Sequence, residues 1–313
     1  MMKNFIHLLL ISTQFNNKTT MKLFITLILY LFSLSAYSLP DEFNVYVPNS
    51  GVKNTTCRAL FDLYANRYNA SPVYVTKEGA GGMLAMLAML ENKKFSVSCS
   101  GPSETVFNTK LYPGHEKEHK ELSTITIITT GPTAFYTSYN SKFNDIKDLM
   151  KSGKPITVGH HTVANKMITQ LVFGDYPITW VPFMSPGASL PSLIDGSLDL
   201  YVDTGSLETM VSYGKLKSLG HLNGPNTLNG PNITKDFAAA AAFPSFISVT
   251  TSVNNNQEDI EEMNRRLIPL INTREMINTL SLIGWSPLGL SVKASNDVIN
   301  HIRIEADRLE NVK

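Results

Sequence analysis

The chain has 313 residues, of which 43% are hydrophobic and 17% charged, so it is long enough for one large domain or two medium ones. Its 27 basic residues nearly balance its 26 acidic ones, which argues against nucleic acid or an anionic membrane surface as a partner. It contains two cysteines, a number that excludes a zinc site of the multi-cysteine kind.

The N-terminal part resembles a signal peptide over Met21–Ser38. A lysine precedes an apolar core, Leu23–Leu34, and Ala36 and Ser38 supply the small residues that signal peptidase requires. A membrane anchor is the alternative, but this core is shorter than the roughly 20 residues of a bilayer-spanning helix. We therefore predict cleavage after Ser38 and a periplasmic location, with translation starting at either Met1 or Met21.

The two cysteines, Cys57 and Cys99, would lie in an oxidising compartment after export. They form either one disulfide or two buried free thiols. Sequence separation does not fix the distance that a disulfide requires, so both alternatives stay open.

The first half of the mature chain alternates strands and helices. The predicted strands are Phe43–Pro48, Pro72–Thr76 and Phe95–Ser100, and the predicted helices are Thr55–Tyr68, with Asn54 as its N-cap, and Met83–Leu90. A β-α-β-α-β order is typical of a parallel sheet in an α/β protein.

A β-rich stretch, Ser123–Ser138, leads into a second alternation. Its predicted strands are Pro155–His160, Ile178–Phe183, Leu198–Gly205 and Lys215–Leu222, and its predicted helices are Phe143–Gly153, His161–Gly174 and Leu190–Gly196. The Gly-Pro-rich segment Asn223–Asn232 is predicted to be a surface loop, and Ala238–Phe243 is ambiguous between helix and strand. A strand at Phe246–Val253 and two helices follow, Gln257–Ile283, with a break near Pro269 or Thr273, and Asn296–Leu309.

Two α/β halves in an exported chain predict a bilobed architecture of the type II periplasmic-binding-protein kind, also called a Venus flytrap. Each lobe is Rossmann-like, and the cleft lies where the carboxyl ends of strands from both lobes face each other. We assign residues 39–138 and 244–313 to lobe 1 and residues 139–243 to lobe 2, and leave residues 1–38 outside both.

A glycine turn between the second strand and the second helix resembles a nucleotide-binding loop. It reads Gly79-Ala80-Gly81-Gly82-Met83-Leu84, so leucine stands where the dinucleotide fingerprint has its third small residue, although Glu104 lies near the position of the ribose-binding acid. The turn follows the second strand, and an exported protein has little access to NAD. We therefore predict no cofactor, and a turn that starts a helix buried on every face.

Five segments in the same order resemble the periplasmic substrate-binding proteins of tripartite tricarboxylate transporters, the Bug/TctC-like family. They are "VPNSGVKNTTCRAL", "SPVYVTKEGAGGMLA", "FNTKLYPG", "WVPFMSPGASLPSLIDGSLDLYVD" and "IGWSPLGLSVKASNDVINHIRIEADRLENV". The resemblance covers about Phe43–Lys313. It departs from the family at Asn49-Ser50-Gly51, where the family has Pro-Gly-Gly, at Asn54, where it has Asp, and at His160 and His161, where it usually has Gly and Ser.

The resemblance implies a small organic acid as the ligand, held by two loops that lead into helices. Helix N-termini carry free N–H groups and the positive end of a dipole, which suits a carboxylate. The family's strand-end Asp corresponds to Asp203, which is placed to accept from a ligand hydroxyl or ammonium group. The predicted ligand-binding residues are Asn49, Ser50, Gly51, Asn54, Ser100, Gly101, Ser103, Gly159, His160, His161, Thr162, Asn165 and Asp203. Protonation of either histidine near neutral pH would strengthen binding of an anion.

Other kinds of site are less favoured by the sequence. Adjacent histidines rarely face one metal ion, and Trp180 and Trp285 are expected in the core. The sequence has no Gly-x-Ser-x-Gly or His-Glu-x-x-His motif, although a triad of His160, Asp203 and a serine stays open. We expect a monomeric, non-catalytic receptor that delivers its ligand to membrane subunits of a tripartite tricarboxylate-type transporter. A sensor of the same fold, or a periplasmic enzyme acting on a small acid or ester, is the alternative.

Overall fold

The computed structural model describes residues 39–47, 51–77, 79, 82–107 and 120–310. The predicted signal peptide and its cleavage site lie outside these residues, as do Asn49 and Ser50. The strands are β1 (Glu42–Val47), β2 (Ser71–Thr76), β3 (Ser96–Ser100), β4 (Leu122–Gly131), β5 (Thr133–Ser138), β6 (Ile156–His160), β7 (Ile178–Pro182), β8 (Leu200–Asp203), β9 (Leu216–Leu222), β10 (Ser245–Ser252) and β11 (Ser286–Pro287). The helices are α1 (Gly51–Tyr68), α2 (Met83–Glu91), α3 (Ile146–Lys151), α4 (Val163–Phe173), α5 (Pro186–Ile194), α6 (Glu208–Ser212), α7 (Ala238–Ala241), α8 (Gln257–Ile271), α9 (Arg274–Ser281) and α10 (Val292–Glu310).

The strands form two mixed sheets. The first has six strands in the order β11-β4-β10-β3-β1-β2, and the second has five in the order β7-β6-β8-β5-β9. In the first sheet β1 is parallel to both β2 and β3, and β10 is antiparallel to β3 and β4. In the second, β6 is parallel to β7 and β8, and β5 is antiparallel to β8 and β9. The predicted bilobed α/β architecture is confirmed.

The chain passes from one sheet to the other twice. It leaves the first sheet between Gly131 and Thr133 and returns at Ser245, where the hydroxyls of Thr133 and Ser245 are 3.0 Å apart. The predicted boundary after Ser138 put β5 in lobe 1, whereas β5 lies in the second sheet. The β-rich stretch has no helix to mark the change of sheet, and only Pro132, which lacks an N–H, interrupts its hydrogen bonding. Below, lobe 1 denotes residues 42–131 and 245–310, and lobe 2 denotes residues 133–243.

One apolar cluster packs elements of both lobes together, and we call it the bridging cluster. Lobe 1 contributes Val106 and Phe107, which belong to a π-helical turn (Ser103–Phe107), and Ile299 and Ile302 of α10. Lobe 2 contributes buried residues of its strands and helices, among them Ile156, Val158, Ala164, Ile168, Val172, Leu200 and Val202. The bridging cluster therefore packs the two lobes against each other in the interior.

Several helix ends differ from the prediction because local geometry overrides the sequence signal. Helix α1 begins at Gly51, whose φ of 84° favours glycine, so Asn54 lies inside the helix and accepts a hydrogen bond from Arg58 Nε at 3.0 Å. Helix α5 begins four residues before the predicted start, because Ser185 caps it and proline is tolerated at its first position.

The break between the C-terminal helices lies at one of the two positions predicted for it. Pro269 lies inside α8, and the break comes after Ile271, where Thr273 caps α9.

Helix α2 was predicted to be buried on every face, but Leu84 is 47% exposed. In the described part of the chain, no helix combines the length and the apolar character that crossing a bilayer requires.

Cys57 and Cys99 form a disulfide, which decides between the two alternatives left by the sequence. Cys57 is in α1 and Cys99 in β3, and their Cα atoms are 6.4 Å apart. Because β1 and β3 are neighbours in the sheet, the helix that follows β1 lies directly over β3. The bond ties α1 to the sheet at the edge where the parallel strands end.

Candidate ligand-binding site

A cavity of about 520 Å³ opens between the two sheets. Most of its walls come from the segments that follow the carboxyl ends of the parallel strands β1, β2 and β3 of lobe 1 and β6, β7 and β8 of lobe 2, and the rest from the start of β10 and from Trp285. This is where ligands bind in open α/β sheets. The polar part of the lining comprises Lys53, Lys77, Ser103, Glu104, His161, Thr162, Asn165, Ser185, Asp203, Thr204, Ser206 and Ser245.

Three helices begin at this cavity. Gly51, at the start of α1, lines it from lobe 1. From lobe 2, Thr162 and Ser185 line it and cap α4 and α5, accepting from the backbone N–H of Asn165 at 3.2 Å and of Ala188 at 3.3 Å. The positive ends of three helix dipoles therefore face one space, an arrangement that favours an anion.

Lobe 1 supplies an ion pair between Lys53 and Glu104. Lys53 Nζ donates to Glu104 Oε1, and the backbone N–H of Gly101 donates to Oε2 at 2.8 Å, so both carboxylate oxygens have partners. Glu104 is 1% exposed and Lys53 22%. Gly82 permits this arrangement, because a Cβ built there would lie 1.9 Å from Glu104 Oε1. The positive charge of Lys53 is thus already neutralised by protein.

Lobe 2 supplies a second buried carboxylate, Asp203, at the end of β8. Its Oδ2 accepts from the backbone N–H of Ser206 at 2.7 Å and from the Ser206 hydroxyl at 2.5 Å. Within the described part of the chain, its Oδ1 has no hydrogen-bond partner, although Asp203 is only 1% exposed and lines the cavity. The nearest basic nitrogen in an ion pair with it is His161 Nδ1, 4.0 Å from Oδ1.

His161 lies between Asp203 and Tyr201. Its Nδ1 shares a hydrogen bond with the Tyr201 hydroxyl at 3.0 Å, and the two rings are stacked. Burial lowers the pKa of His161, outweighing the opposite effect of Asp203. Burial and the carboxylate of Asp203 both raise the pKa of Tyr201, so that hydroxyl keeps its proton. His161 is therefore largely neutral at neutral pH, so the protonated form that would strengthen anion binding is disfavoured there.

His160 does not line the cavity. Its Nδ1 lies 3.2 Å from the carbonyl of Thr162, and its ring meets the edge of Trp180 at 5.6 Å between centroids. Burial lowers the pKa of His160 as well. It packs beside the cavity wall and is not positioned to contact a ligand inside it.

Apolar side chains complete the wall. Trp285 is 4% exposed, donates its indole N–H to the carbonyl of Thr204 at 2.8 Å and packs on Gly131, where a Cβ would lie 2.2 Å from its ring. The sequence placed Trp285 in the core, and it is both buried and part of the cavity wall. Phe183, Met184, Phe246 and Ile247 form the rest of this surface.

The predicted site residues divide into those that line the cavity and those that do not. The former are Gly51, Gly101, Ser103, His161, Thr162, Asn165 and Asp203. Among the latter, Ser100 is buried with its hydroxyl 2.8 Å from that of Thr250, and Asn54 bonds to Arg58 within α1. Gly159 lies against the core, where a Cβ would come within 2.7 Å of Leu198 and Tyr201.

Sequence reasoning missed Lys53, Glu104 and Ser206 as members of the site. Lys53 and Glu104 each follow a parallel strand, and β1 and β3 are adjacent in the sheet, so both residues lie at one edge of it. Ser206 carried a weaker signal, a serine three residues after a strand-end aspartate.

Two further predictions concern chemistry. The described residues contain no group of three or more metal-binding side chains. The open possibility of a triad of His160, Asp203 and a serine does not match the hydrogen bonds of Ser206, which donates its hydroxyl to Asp203 and not to a histidine. His160 lies outside the cavity.

No protein-family profile matches the sequence, and a search of curated proteins found no significant match. Solved structures do match. Rpa4515 of R. palustris with adipate is 18% identical with a TM-score of 0.75, and 88% of this chain covers 97% of that one. MatC of Rhodopseudomonas palustris with bound malate is 13% identical with a TM-score of 0.72, with 85% and 99% covered.

The periplasmic binding protein BugD is 13% identical with a TM-score of 0.71, and 87% of this chain covers 98% of that one. All of these neighbours are binding proteins, and each is matched over nearly its full length. The likeness establishes that this chain has the bilobed α/β fold of periplasmic solute-binding proteins of the Bug and TctC type.

Proposed function

We propose that this protein is an exported solute receptor of the Bug/TctC family that holds a small organic carboxylate between its lobes. It hands the ligand to the membrane subunits of a tripartite tricarboxylate-type transporter. We place the ligand carboxylate between the start of α1, the start of α4 and the loop that follows β3, as the sequence suggested.

The observation that carries the proposal is the convergence of three helix N-termini on one cavity between the lobes. Helix starts bind anions through backbone N–H groups, so no arginine is needed. A volume of about 520 Å³ falls within the 300–1,000 Å³ typical of small-molecule sites.

The ligands of the structural neighbours support the same class. Rpa4515 was solved with adipate and MatC with malate, both small carboxylates. Neither ligand is assigned to this chain, because the shared feature is the fold.

Binding is tested by a thermal-shift screen of small carboxylates on the mature protein, followed by calorimetry. A ligand at a hundred times its Kd stabilises the folded state by about 2.7 kcal/mol, which raises the melting temperature by several degrees. A saturable heat with no product formed supports a receptor. No saturable binding of any carboxylate would overturn the proposal.

The place of binding is tested by filling the cavity. Val52 lines the cavity in the first turn of α1, and Val52→Trp adds an indole there. We expect it to abolish binding. Ile304→Trp, at a 51%-exposed position on α10, is the matched control and should bind like the wild type.

The transporter partner is tested by co-purification of membrane proteins with the ligand-loaded receptor. Recovery of a signalling membrane protein, and not of transporter subunits, would indicate the sensor alternative.

A further inference from the structure

We propose that loop 223–232 of lobe 2 and turn 283–285 of lobe 1 form an interlobe latch, which holds the lobes together beside the point where the chain crosses between them. The loop is the Gly-Pro-rich segment that the sequence predicts to be a surface loop, and it contributes no residue to the cavity wall. The inference goes beyond the proposed function, because the latch acts on the protein without a ligand.

The side chain of Leu228 in the loop lies against the backbone of the turn. A Cβ built at Gly284 would lie 2.5 Å from Leu228 Cδ2, so glycine leaves room for this side chain. A Cβ built at Gly224 would lie 2.6 Å from Leu228 Cδ1 and 3.0 Å from Pro132 Cβ. Leu228 therefore joins lobe 2 to lobe 1 close to Pro132, between β4 of the first sheet and β5 of the second.

A second segment of lobe 2 contacts the same turn. Trp285 donates its indole N–H to the carbonyl of Thr204 at 2.8 Å, and a Cβ built at Gly205 would lie 2.9 Å from the carbonyl oxygen of Ile283. Two segments of lobe 2 thus hold one turn of lobe 1, one through an apolar contact and the other through a hydrogen bond. Because Trp285 also lines the cavity, the latch is continuous with the cavity wall.

The loop is fixed to the body of lobe 2 by a buried carboxylate. Glu208 is 8% exposed, and its Oε2 accepts from the backbone N–H of Asn229 at 3.2 Å and from Asn229 Nδ2 at 2.8 Å. Its Oε1 accepts from the hydroxyl of Tyr136 in β5 at 2.7 Å. A Cβ built at Gly230 would lie 2.6 Å from Ser218 Oγ, so the loop backbone also packs closely on β9. The loop therefore moves with lobe 2.

Separation of the turn from lobe 2 breaks the hydrogen bond between Trp285 and Thr204 and uncovers Leu228. Both losses disfavour an open arrangement, so the latch raises the population of molecules whose lobes are already together before a ligand binds. A binding-competent state that is populated in advance increases apparent affinity, because less binding energy is used to close the cleft.

The indole N–H of Trp285 reports on the latch directly. The chain has two tryptophans, so ¹⁵N-labelled protein gives two indole signals, and Trp180→Phe identifies the signal of Trp285. Hydrogen exchange is followed at constant pH on mature protein refolded from urea, a step that removes bound ligand. The Trp285 proton exchanges when its bond to Thr204 opens, so its rate measures the open population.

Two matched variants test the apolar contact. Leu228→Ala removes most of it and should speed exchange of the Trp285 indole N–H about tenfold. Leu228→Gln keeps the length of the side chain but makes its end polar, and it should also speed exchange. Leu282→Ala makes the same truncation one residue before the turn, at a side chain that is 83% exposed, and should leave the rate unchanged.

Two protons of lobe 2 serve as internal controls in Leu228→Ala. The backbone N–H of Asn229, which donates to Glu208, and the indole N–H of Trp180 should keep their wild-type rates. Faster exchange of Trp285 alone supports the latch. An unchanged Trp285 rate would overturn it, as would equal acceleration at Asn229, which means that the loop leaves lobe 2, or at Trp180, which means general loosening. No ligand is used, so these outcomes leave the proposed function to its own tests.

Discussion

Each lobe brings one buried carboxylate to the cavity, and the two carboxylates differ in how fully their oxygens are paired. In lobe 1, Glu104 has partners on both oxygens, Lys53 and the Gly101 backbone. In lobe 2, Asp203 uses one oxygen, and its neighbour His161 stands 4.0 Å from the other. The Lys53–Glu104 pair is thus complete, whereas Asp203 has one oxygen with no hydrogen-bond partner among the described residues.

The difference shows that the number of charges in a cleft does not determine which ligand it favours. Lys53, Glu104 and Asp203 together suggest a mixed site, but the lysine and one carboxylate cancel each other. What remains is Asp203 Oδ1 in a buried wall, beside a histidine whose pKa burial has lowered, together with Lys77, an exposed lysine of the lining. The variants below alter either the Lys53–Glu104 pair of lobe 1 or the His161–Asp203 pair of lobe 2.

The largest effect is expected from the disulfide, which joins α1, the helix that carries Lys53, to β3, the strand before Glu104. Cys57 and Cys99 enclose 42 residues of sequence separation, and a loop of this size contributes roughly 4 kcal/mol by its effect on the unfolded chain. The double variant Cys57→Ala/Cys99→Ala should lower the free energy of unfolding by about that amount, measured by urea titration. An unchanged midpoint, or two free thiols in the unreduced unfolded wild type, would contradict the bond.

A methyl group at Gly82 should break the complete pair directly. Its Cβ would lie 1.9 Å from Glu104 Oε1, and the φ of 101° disfavours any other residue, so Gly82→Ala should cost about 3 kcal/mol of stability. Gly214→Ala is the control, since Gly214 also has a positive φ, 64°, but its Cβ would meet only Tyr139 at 3.9 Å. Equal losses of unfolding free energy in the two variants would show that contact with Glu104 does not contribute to the cost of Gly82→Ala.

Neutralising Glu104 tests whether Lys53 can act on a ligand once its protein partner has lost its charge. Glu104→Gln keeps the size of the side chain and leaves the charge of Lys53 available to a ligand. Affinity for a dianion such as succinate should rise about tenfold, while affinity for a zwitterion should change much less. Calorimetry with the two ligand classes measures both, and no gain for the dianion would show that Lys53 is not within reach of the ligand.

The smallest effect is a pH dependence from lobe 2. The groups acting on His161 are Asp203, Lys53, His160, Glu104 and the stacked Tyr201. Its pKa lies below the ordinary value of 6.5, so it gains a proton, and a positive charge beside Asp203, only as pH falls below that value. As pH falls below 6.5, affinity for a plain anion should rise and affinity for a ligand that carries an amino group should fall, with both flat above.

His161→Gln should remove both slopes in calorimetric titrations. His160→Gln, which alters a histidine outside the cavity, should keep them. Slopes of the same sign for the two ligand classes would argue against competition between His161 and a ligand amino group.

Much of the fold follows from the sequence, because strand–helix alternation is a local signal. The parallel arrangement of β1, β2 and β3, and the cleft at the strand ends, were predicted from that pattern alone. The start of α1 was missed, because Asn54 reads as a cap while the helix begins at Gly51, four residues after β1 ends. The change of sheet at Pro132 was missed because no helix separates β4 from β5.

The site was less predictable for a different reason. At the end of a strand, consecutive side chains point in different directions, so a shift of one position decides whether a polar residue faces the cleft. His160 and His161 show this, because His160 packs on Trp180 whereas His161 lines the cavity. The pairing of Lys53 with Glu104 spans 51 positions and needs the strand order as well as the sequence. Charge type is visible in a sequence, whereas the partner that cancels the charge is not.

The bridging cluster bears on how the molecule unfolds. It packs Phe107 and Ile302 of lobe 1 with Val158 and Leu200 of lobe 2, so neither lobe can lose its order without exposing apolar surface of the other. Lobe 1 also consists of two chain segments separated by the whole of lobe 2. The lobes should therefore melt as one cooperative unit, with equal calorimetric and van't Hoff enthalpies, even though their two sheets share no strand.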